Sequence, residues 1–357
     1  MFGYIFILSL TLVFASIFLV DESYNENDKI KKIYLILNSI ALVIFFGFRG
    51  PFTSDYINYK EYFELYKKIS ILDIVTTNVP QEKGYVLLNK IIQIFGGDFV
   101  TLQVIIGIII IGLIFREIYK ESSYVWLSVF LYVIARQYYA SFNITRQVLA
   151  SAIIFSGSKY LYERNFKKYL IFILIATFIH RSSIIMLPFY FILNMKNNKK
   201  LNLTILAGFI LVFENIKKLL EIITKYYFKS YSASSFGMSG FNYKNIVLPV
   251  GILLFVMANR YLLKLEDDKK ANIWVNSVIY FAFFNLLGTK IMMIERIGHF
   301  FLPYSILIIP LIIKKQENMA IKGLYLILII FLGFGYNYFS LNNSGYDPYY
   351  FIFNSIN

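Results

Sequence analysis

The chain has 357 residues, 58% of them hydrophobic and only 16% charged, with a net charge of +14 and no cysteine. That balance excludes an ordinary soluble protein, and the missing cysteines exclude disulfides, thiol nucleophiles and thiolate metal sites. Two histidines fall short of the usual zinc set, so metal-free chemistry without a cofactor is expected.

Apolar stretches recur from end to end, and no polar block is long enough to bury a core of its own. Residues 1–357 therefore read as a single all-α, polytopic integral membrane domain. The first run, Met1 to Val20, has no basic n-region and no small-residue cleavage site, and reads as a retained first helix. Further spans are expected near 33–49, 98–115, 124–139, 146–162, 169–180, 182–195, 202–214, 245–263, 272–288, 298–313 and 322–340. This gives about 10–12 transmembrane helices, several shorter than the roughly 20 residues that cross a bilayer unaided. The pair on either side of His180-Arg181-Ser182-Ser183 reads as two helices meeting at a turn, or as one broken helix whose polar break lines a cavity.

Lys29/Lys31/Lys32, Arg116/Lys120, Arg164/Lys167/Lys168, Lys196/Lys199/Lys200, Lys264/Lys269/Lys270 and Lys314/Lys315/Lys322 all alternate onto one side. The positive-inside rule makes that side cytoplasmic and places both termini outside. The same loops account for the net charge through anionic headgroups, so no nucleic-acid partner is expected. Two longer external loops, about 50–83 and 215–244, each carry helical periodicity. In the first, Tyr59, Tyr62, Phe63, Tyr66 and Ile69 form one face, as expected of a helix lying flat on the membrane. In the second, Ile216, Leu219, Leu220, Ile223, Tyr226 and Tyr227 do the same before a Ser/Gly-rich loop from Ser230 to Gly240.

Arginine is scarce at eight residues, yet Arg49, Arg136, Arg146, Arg181 and Arg296 all fall on the external side, away from the short lysine-bearing loops. A guanidinium is a planar fork that grips phosphate oxygens in pairs, so this placement points to a phosphate-bearing substrate. The Ile, Lys, Asn, Tyr and Phe bias suggests an AT-rich coding background in which lysine is the default cation, which makes these arginines more informative. Four clusters hold them. Arg49 precedes Gly50-Pro51 and Asp55-Tyr56 with Tyr59, where an Arg–Asp pairing is the simpler reading. Arg136-Gln137-Tyr138-Tyr139 and Asn143-Ile144-Thr145-Arg146-Gln147 place two Arg-Gln dipeptides about one turn, with snorkelling to lipid phosphate as the rival. His180-Arg181 sits in an apolar run, where a lone histidine is more often structural. Glu295-Arg296-Ile297-Gly298-His299 opens a late span, where Glu295 and Arg296 can simply neutralise one another.

These residues together resemble the EpsG family of Wzy-like bacterial polysaccharide polymerases. The resemblance rests on Arg49 with Asp55-Tyr56 and Tyr59, on Glu82-Lys83-Gly84-Tyr85 with Leu87-Leu88-Asn89, and on Arg146-Gln147 with Leu149-Ala150. It continues through Ala176, His180-Arg181-Ser182-Ser183, Arg296-Ile297-Gly298 and Pro348-Tyr349. No single motif is diagnostic; their order and spacing are.

The resemblance implies glycosyl transfer at the external leaflet of the bacterial inner membrane. Undecaprenyl-diphosphate-linked oligosaccharides would be joined into a capsule, exopolysaccharide or O-antigen chain. It implies membrane lipid, and a flippase and chain-length regulator of the same pathway, as partners. In this scheme Arg146 and Arg296 are first expectations for the donor diphosphate, with Arg181, Arg136 and Arg49 next. His180 is the expected base, with Asp55, Glu82 and Glu295 as rivals. Tyr56, Tyr59, Tyr138, Tyr139 and Gln147 are expected sugar contacts, although interfacial tyrosine belts explain the rings equally well. The competing readings are a flippase for the same lipids, an acyltransferase modifying the polymer, and a non-catalytic assembly partner.

Overall fold

A computed structural model describes residues 2–18, 27–227, 244–341 and 349–355. Apolar segments become helices because backbone polar groups have no partners in hydrocarbon, and the helices begin where the sequence supplies caps. Helix α1 (Phe2–Phe18) is followed by α2 (Asp28–Gly47), opened by Asn27, whose side chain accepts from the Lys29 and Ile30 amides. The long loop after α2 is itself helical: α3 (Ser54–Lys67), α4 (Ile71–Thr76) with a reciprocal Ser70–Asp73 capping box, and α5 (Lys83–Ile94). Asp98 caps α6 (Phe99–Glu121) by accepting from the Thr101 amide.

Then come short pieces: α7 (Val125–Ile134), α8 (Gln137–Asn143), α9 (Thr145–Ser156), α10 (Ser158–Tyr162) and α11 (Phe166–Ile179). A 3-10 turn at Arg181–Ile185 leads into α12 (Met186–Leu193). Helices α13 (Lys199–Tyr227), α14 (Lys244–Arg260) and α15 (Lys269–Gly288) are longer. After α16 (Met292–Glu295), 3-10 turns at Arg296–Phe300 and Leu302–Tyr304 run into α17 (Ser305–Lys315), and α18 (Met319–Leu341) completes the bundle. Among the described residues there is no strand, only an isolated bridge between Arg49 and Phe351.

The protein is an all-α, multi-pass membrane protein. Asp28–Gly47, Phe99–Glu121, Lys269–Gly288 and Met319–Leu341 are each long and apolar enough to cross a membrane, and the pair Met293–Phe300 and Leu302–Lys315, bent by 43°, brings the number to five. Of the other expected spans, that near 202–214 lies within the 29-residue α13, and the rest are helical but short or broken, which is tolerated at membrane depth only where protein or a polar cavity meets the freed backbone. Large apolar side chains stay exposed on the outer faces, among them Ile36 and Ile40 of α2, Leu174 and Ile175 of α11, and Ile327 and Phe331 of α18. Such faces need a lipid solvent.

The lysine loops meet at one end of the bundle. There Lys270 pairs with Glu121 at 2.7 Å, Lys32 lies over the Tyr119 ring, Lys322 over Tyr124, and Arg260 donates to the Asn197 carbonyl at 3.3 Å. At the other end the first and last described segments converge. Tyr349 packs edge-on against Tyr4, and Gly50 donates to the Tyr350 carbonyl at 2.8 Å.

Two external features differ from expectation. The apolar face of α3 is covered by protein: Tyr59, Phe63 and Tyr66 are buried, and α5 packs across them. Lys90 of α5 donates to the Tyr66 and Lys67 carbonyls at 3.2 Å and Gln93 to that of Phe63 at 2.6 Å, meeting the orphan acceptors at the end of α3. The expected interfacial helix from 216 is continuous with the preceding span, as α13 runs 29 residues without a break. Asn215, at the expected boundary, turns its amide back onto the Leu211 carbonyl at 2.9 Å and keeps the helix going. The expected loop from Ser230 to Gly240 and Pro348 lie outside the described residues.

Candidate functional site

Helix α9 starts at the end of the bundle away from the lysines and packs on α6, on α11 and on the turn at 296–300, so its first residues sit where four parts of the chain meet. Arg146, in its first turn, donates through Nη1 to Oε2 of Glu82, the residue that precedes α5. The other carboxylate oxygen of Glu82 accepts from the Arg181 amide at 3.1 Å and faces His180 Nδ1 at 3.6 Å. One carboxylate thus joins three segments. Close approach of α5 to α11 makes this possible: at Gly84 a Cβ would fall 2.5 Å from the Phe178 carbonyl oxygen, backbone that cannot yield. The Arg146 guanidinium also lies 5.8 Å from the ring centroids of Tyr59 and Tyr85, against their electron-rich faces.

Arg296 connects this group to a second. It acts electrostatically on Asp55, on His180 and on His299, and its carbonyl accepts from Gln147. Arg136 acts on His299 as well and donates to Ser340 Oγ at 2.7 Å. Arg136 sits in the left-handed backbone region at φ 62°, between α7 and α8. For a branched-out, non-glycine residue that conformation costs on the order of 1 kcal/mol, and such strain gathers at functional positions. Ser151, one turn along α9, holds the His299 carbonyl at 2.7 Å.

The two carboxylates of the site are pushed apart. Burial raises the Asp55 carboxyl above its ordinary value, and Arg296 and Arg146 pull it back only in part. Burial also works to raise Glu82, but Arg146 and the Arg181 amide outweigh it and hold Glu82 below its ordinary value. Oppositely displaced carboxyls are the arrangement in which one stays fixed as an anion and the other is poised to exchange a proton.

Other expected residues fall elsewhere. Arg49 is 1% exposed, donates to the Phe46 carbonyl at 2.5 Å and lies 4.2 Å from the Phe46 ring, so it braces the turn after α2 and has no open side for a phosphate. Tyr138 and Tyr139 are fully buried, with hydroxyls on the Leu42 and Tyr4 carbonyls. Tyr56 is buried edge-on to Phe99 at 5.2 Å. None of these three rings offers a face to a sugar; each fills the core because the bundle closes over it. The Arg181 side chain is exposed at the rim, and Glu295 lies against Gly288 at the end of α15.

Tyr85, Asn143, His299 and Ser340 were not singled out by the sequence. The Asn143 side chain accepts from the Asp55 amide at 3.3 Å and so sets the start of α3 beside α9. Tyr85, Asn143 and His299 each lie within a quoted cluster, whereas Ser340, at the end of an apolar helix, carries no signal. Among the described residues no three His, Cys, Asp or Glu side chains gather as a metal site requires.

A family model described as EpsG family matches residues 32–353, which include every residue of this site. The chain belongs to the EpsG family. As an EpsG-family member it is a multi-pass membrane protein of polysaccharide biosynthesis. No curated protein and no solved structure matches it.

Proposed function

We propose that this EpsG-family protein is a metal-independent glycosyltransferase that joins undecaprenyl-diphosphate-linked oligosaccharide repeat units into a surface polysaccharide. Its active end faces the extracytoplasmic side of the bacterial inner membrane, since the lysine end is cytoplasmic by the positive-inside rule. The observation that carries this reading is the gathering of Arg146, Arg296, Asp55, Glu82 and His180 at the bundle end opposite the short lysine-bearing loops.

In the reaction an acceptor sugar hydroxyl attacks the anomeric carbon of the donor glycan. The bond from that carbon to the diphosphate oxygen breaks, and its electron pair leaves with the lipid diphosphate. Arg146 and Arg296 meet the charge that develops there, already oriented by Glu82 and by the Gln147 bond to the Arg296 carbonyl. The hydroxyl proton passes to His180, whose Nδ1 lies 3.6 Å from the Glu82 carboxylate. Asp55 is the second reading for this proton, favoured by its raised value. Tyr59 packs beside Arg146 under α5 and, like the other three expected rings, is buried.

A flippase for the same lipids needs its cations reached from both ends of the bundle, while these arginines gather at one. The deciding experiment is reconstitution of purified protein in lipid with undecaprenyl-diphosphate repeat units and EDTA, the products resolved as a ladder on a gel. A ladder that disappears with Arg146→Ala supports the polymerase. No ladder from verified substrate and folded protein removes it in favour of the flippase, acyltransferase or assembly-partner readings.

A further inference from the structure

Between α7, α14, α17 and α18 lies a groove of about 530 Å³, lined almost wholly by apolar side chains such as Leu131, Ile252, Phe255, Ile309 and Phe331. Along α18 its lining runs from Tyr325 to Phe339, about 21 Å at 1.5 Å per residue. Two glycines in its wall, Gly251 and Gly335, have open space where a Cβ would stand. Its upper end is different in kind. Ile134 and Ala135 line it immediately before Arg136, and Phe339 lines it immediately before Ser340, the residue to which Arg136 donates. Arg136 and Arg296 both act electrostatically on His299, whose carbonyl is held by Ser151 of α9 at 2.7 Å, so the upper end of the groove lies beside the candidate site.

We propose that this groove seats the prenyl tail of the lipid carrier, with its diphosphate at the Arg136 end, beside Arg296. This deepens the polymerase reading and rests on it for the carrier's identity. A long single hydrocarbon chain fits a narrow apolar trough between helices. Two guanidiniums at its head match the two phosphates of a diphosphate, whereas a phospholipid offers a single phosphodiester charge. The groove lies between α7 and the pair α17–α18, and α7 leads through Arg136 and α8 to the Arg146 turn, so one carrier would reach from hydrocarbon to the reacting bond.

The test is binding of undecaprenyl diphosphate and of uncharged undecaprenol to the purified full-length protein, with phosphatidylglycerol as competitor. Gly251→Leu and Gly335→Leu fill open space, and each is expected to weaken both prenyl probes by about tenfold or more. Arg136→Ala is expected to weaken only the diphosphate. Thermal unfolding confirms that each variant is folded. Unchanged prenyl binding in both glycine variants, or equal displacement by phosphatidylglycerol, overturns the proposal. The polymer ladder is read separately. Wild type that makes a ladder while the filled variants bind normally removes the groove and keeps the polymerase. Saturable binding lost in the filled variants, without a ladder, keeps the groove and removes the polymerase.

Discussion

At position 146 lysine would keep the charge and lose the fork. The arginine donates to Glu82 while its plane lies against Tyr59 and Tyr85, a geometry that a single ammonium on a flexible stem does not reproduce. Arg146→Lys is therefore expected to lower polymerisation by about 10²–10³-fold, the usual loss for one preorganised donor. Lys218→Ala, exposed on α13, should leave the ladder unchanged at equal membrane abundance; equal losses in the two would defeat the phosphate-fork argument. The carboxylates make a paired prediction. Glu82 is held below its ordinary value in the folded state, so it stabilises the fold above about pH 4.3 and loses that contribution as pH falls through the lower folded value. Asp55 is raised, so its ionisation costs stability as pH climbs past the ordinary aspartate range. Thermal unfolding at pH 7 should show Glu82→Gln destabilised by about 1–3 kcal/mol, because Arg146 loses its partner, and Asp55→Asn slightly stabilised. On acidification below about pH 5 the wild type should lose stability more steeply than Glu82→Gln. The arginines themselves were legible in the sequence, because five of the eight fall outside the short lysine-bearing loops. Which of them act together was not. Glu82 and Arg146 are 64 residues apart, and only the meeting of α5 with α9 and α11 makes them neighbours.

Helices show the same division between local pattern and long-range contact. The periodicity of α3 correctly marks one face of a helix, but periodicity cannot say whether lipid or protein covers that face. Here α5 covers it, since Lys90 and Gln93 find the open carbonyls at the end of α3. For α13 the sequence predicts a span near 202–214 followed by an external loop from about 215. No proline or glycine stands between Phe209 and Tyr227, so the chain had no reason to turn at that boundary. The junction of α5 with α11 gives a sharper test of the site's construction. In Gly84→Ala the new Cβ would meet the Phe178 carbonyl at 2.5 Å and must push α5 away, withdrawing Glu82 from His180 and from the Arg181 amide. Polymerisation should fall by about tenfold or more, the scale on which small misplacements act. Gly112→Ala, whose Cβ would meet nothing within 4 Å, is expected to be neutral or to stabilise by about 0.5–1 kcal/mol in thermal unfolding. Wild-type turnover in Gly84→Ala would show that the Glu82 junction does not matter to the chemistry.

On the scale of the whole molecule, five of the eight arginines lie at one end and the short lysine-bearing loops at the other, and the proposed reaction requires that the first end face outward. Lysine loops held together by pairs such as Lys270–Glu121 would be drawn to the anionic cytoplasmic leaflet, and the broken helices would open their polar ends on the far side. Because the chain contains no cysteine, this orientation can be read without background. Lys60 on α3 and Lys315 at the end of α17 are both exposed, one at each end. Single cysteines placed there by Lys60→Cys and Lys315→Cys should differ in intact cells exposed to a membrane-impermeant maleimide. The first should label fully and the second only after the membrane is opened. Labelling in the reverse order would place Glu82, Arg146 and Arg296 in the cytosol. It would leave the lysines facing a membrane surface with little anionic lipid, and the proposed polymerisation of exported repeat units would have no site at which to occur. Equal labelling at both positions before permeabilisation would mean that the cells leak, so an endogenous cytosolic thiol protein must remain unlabelled in the same sample for either order to be read.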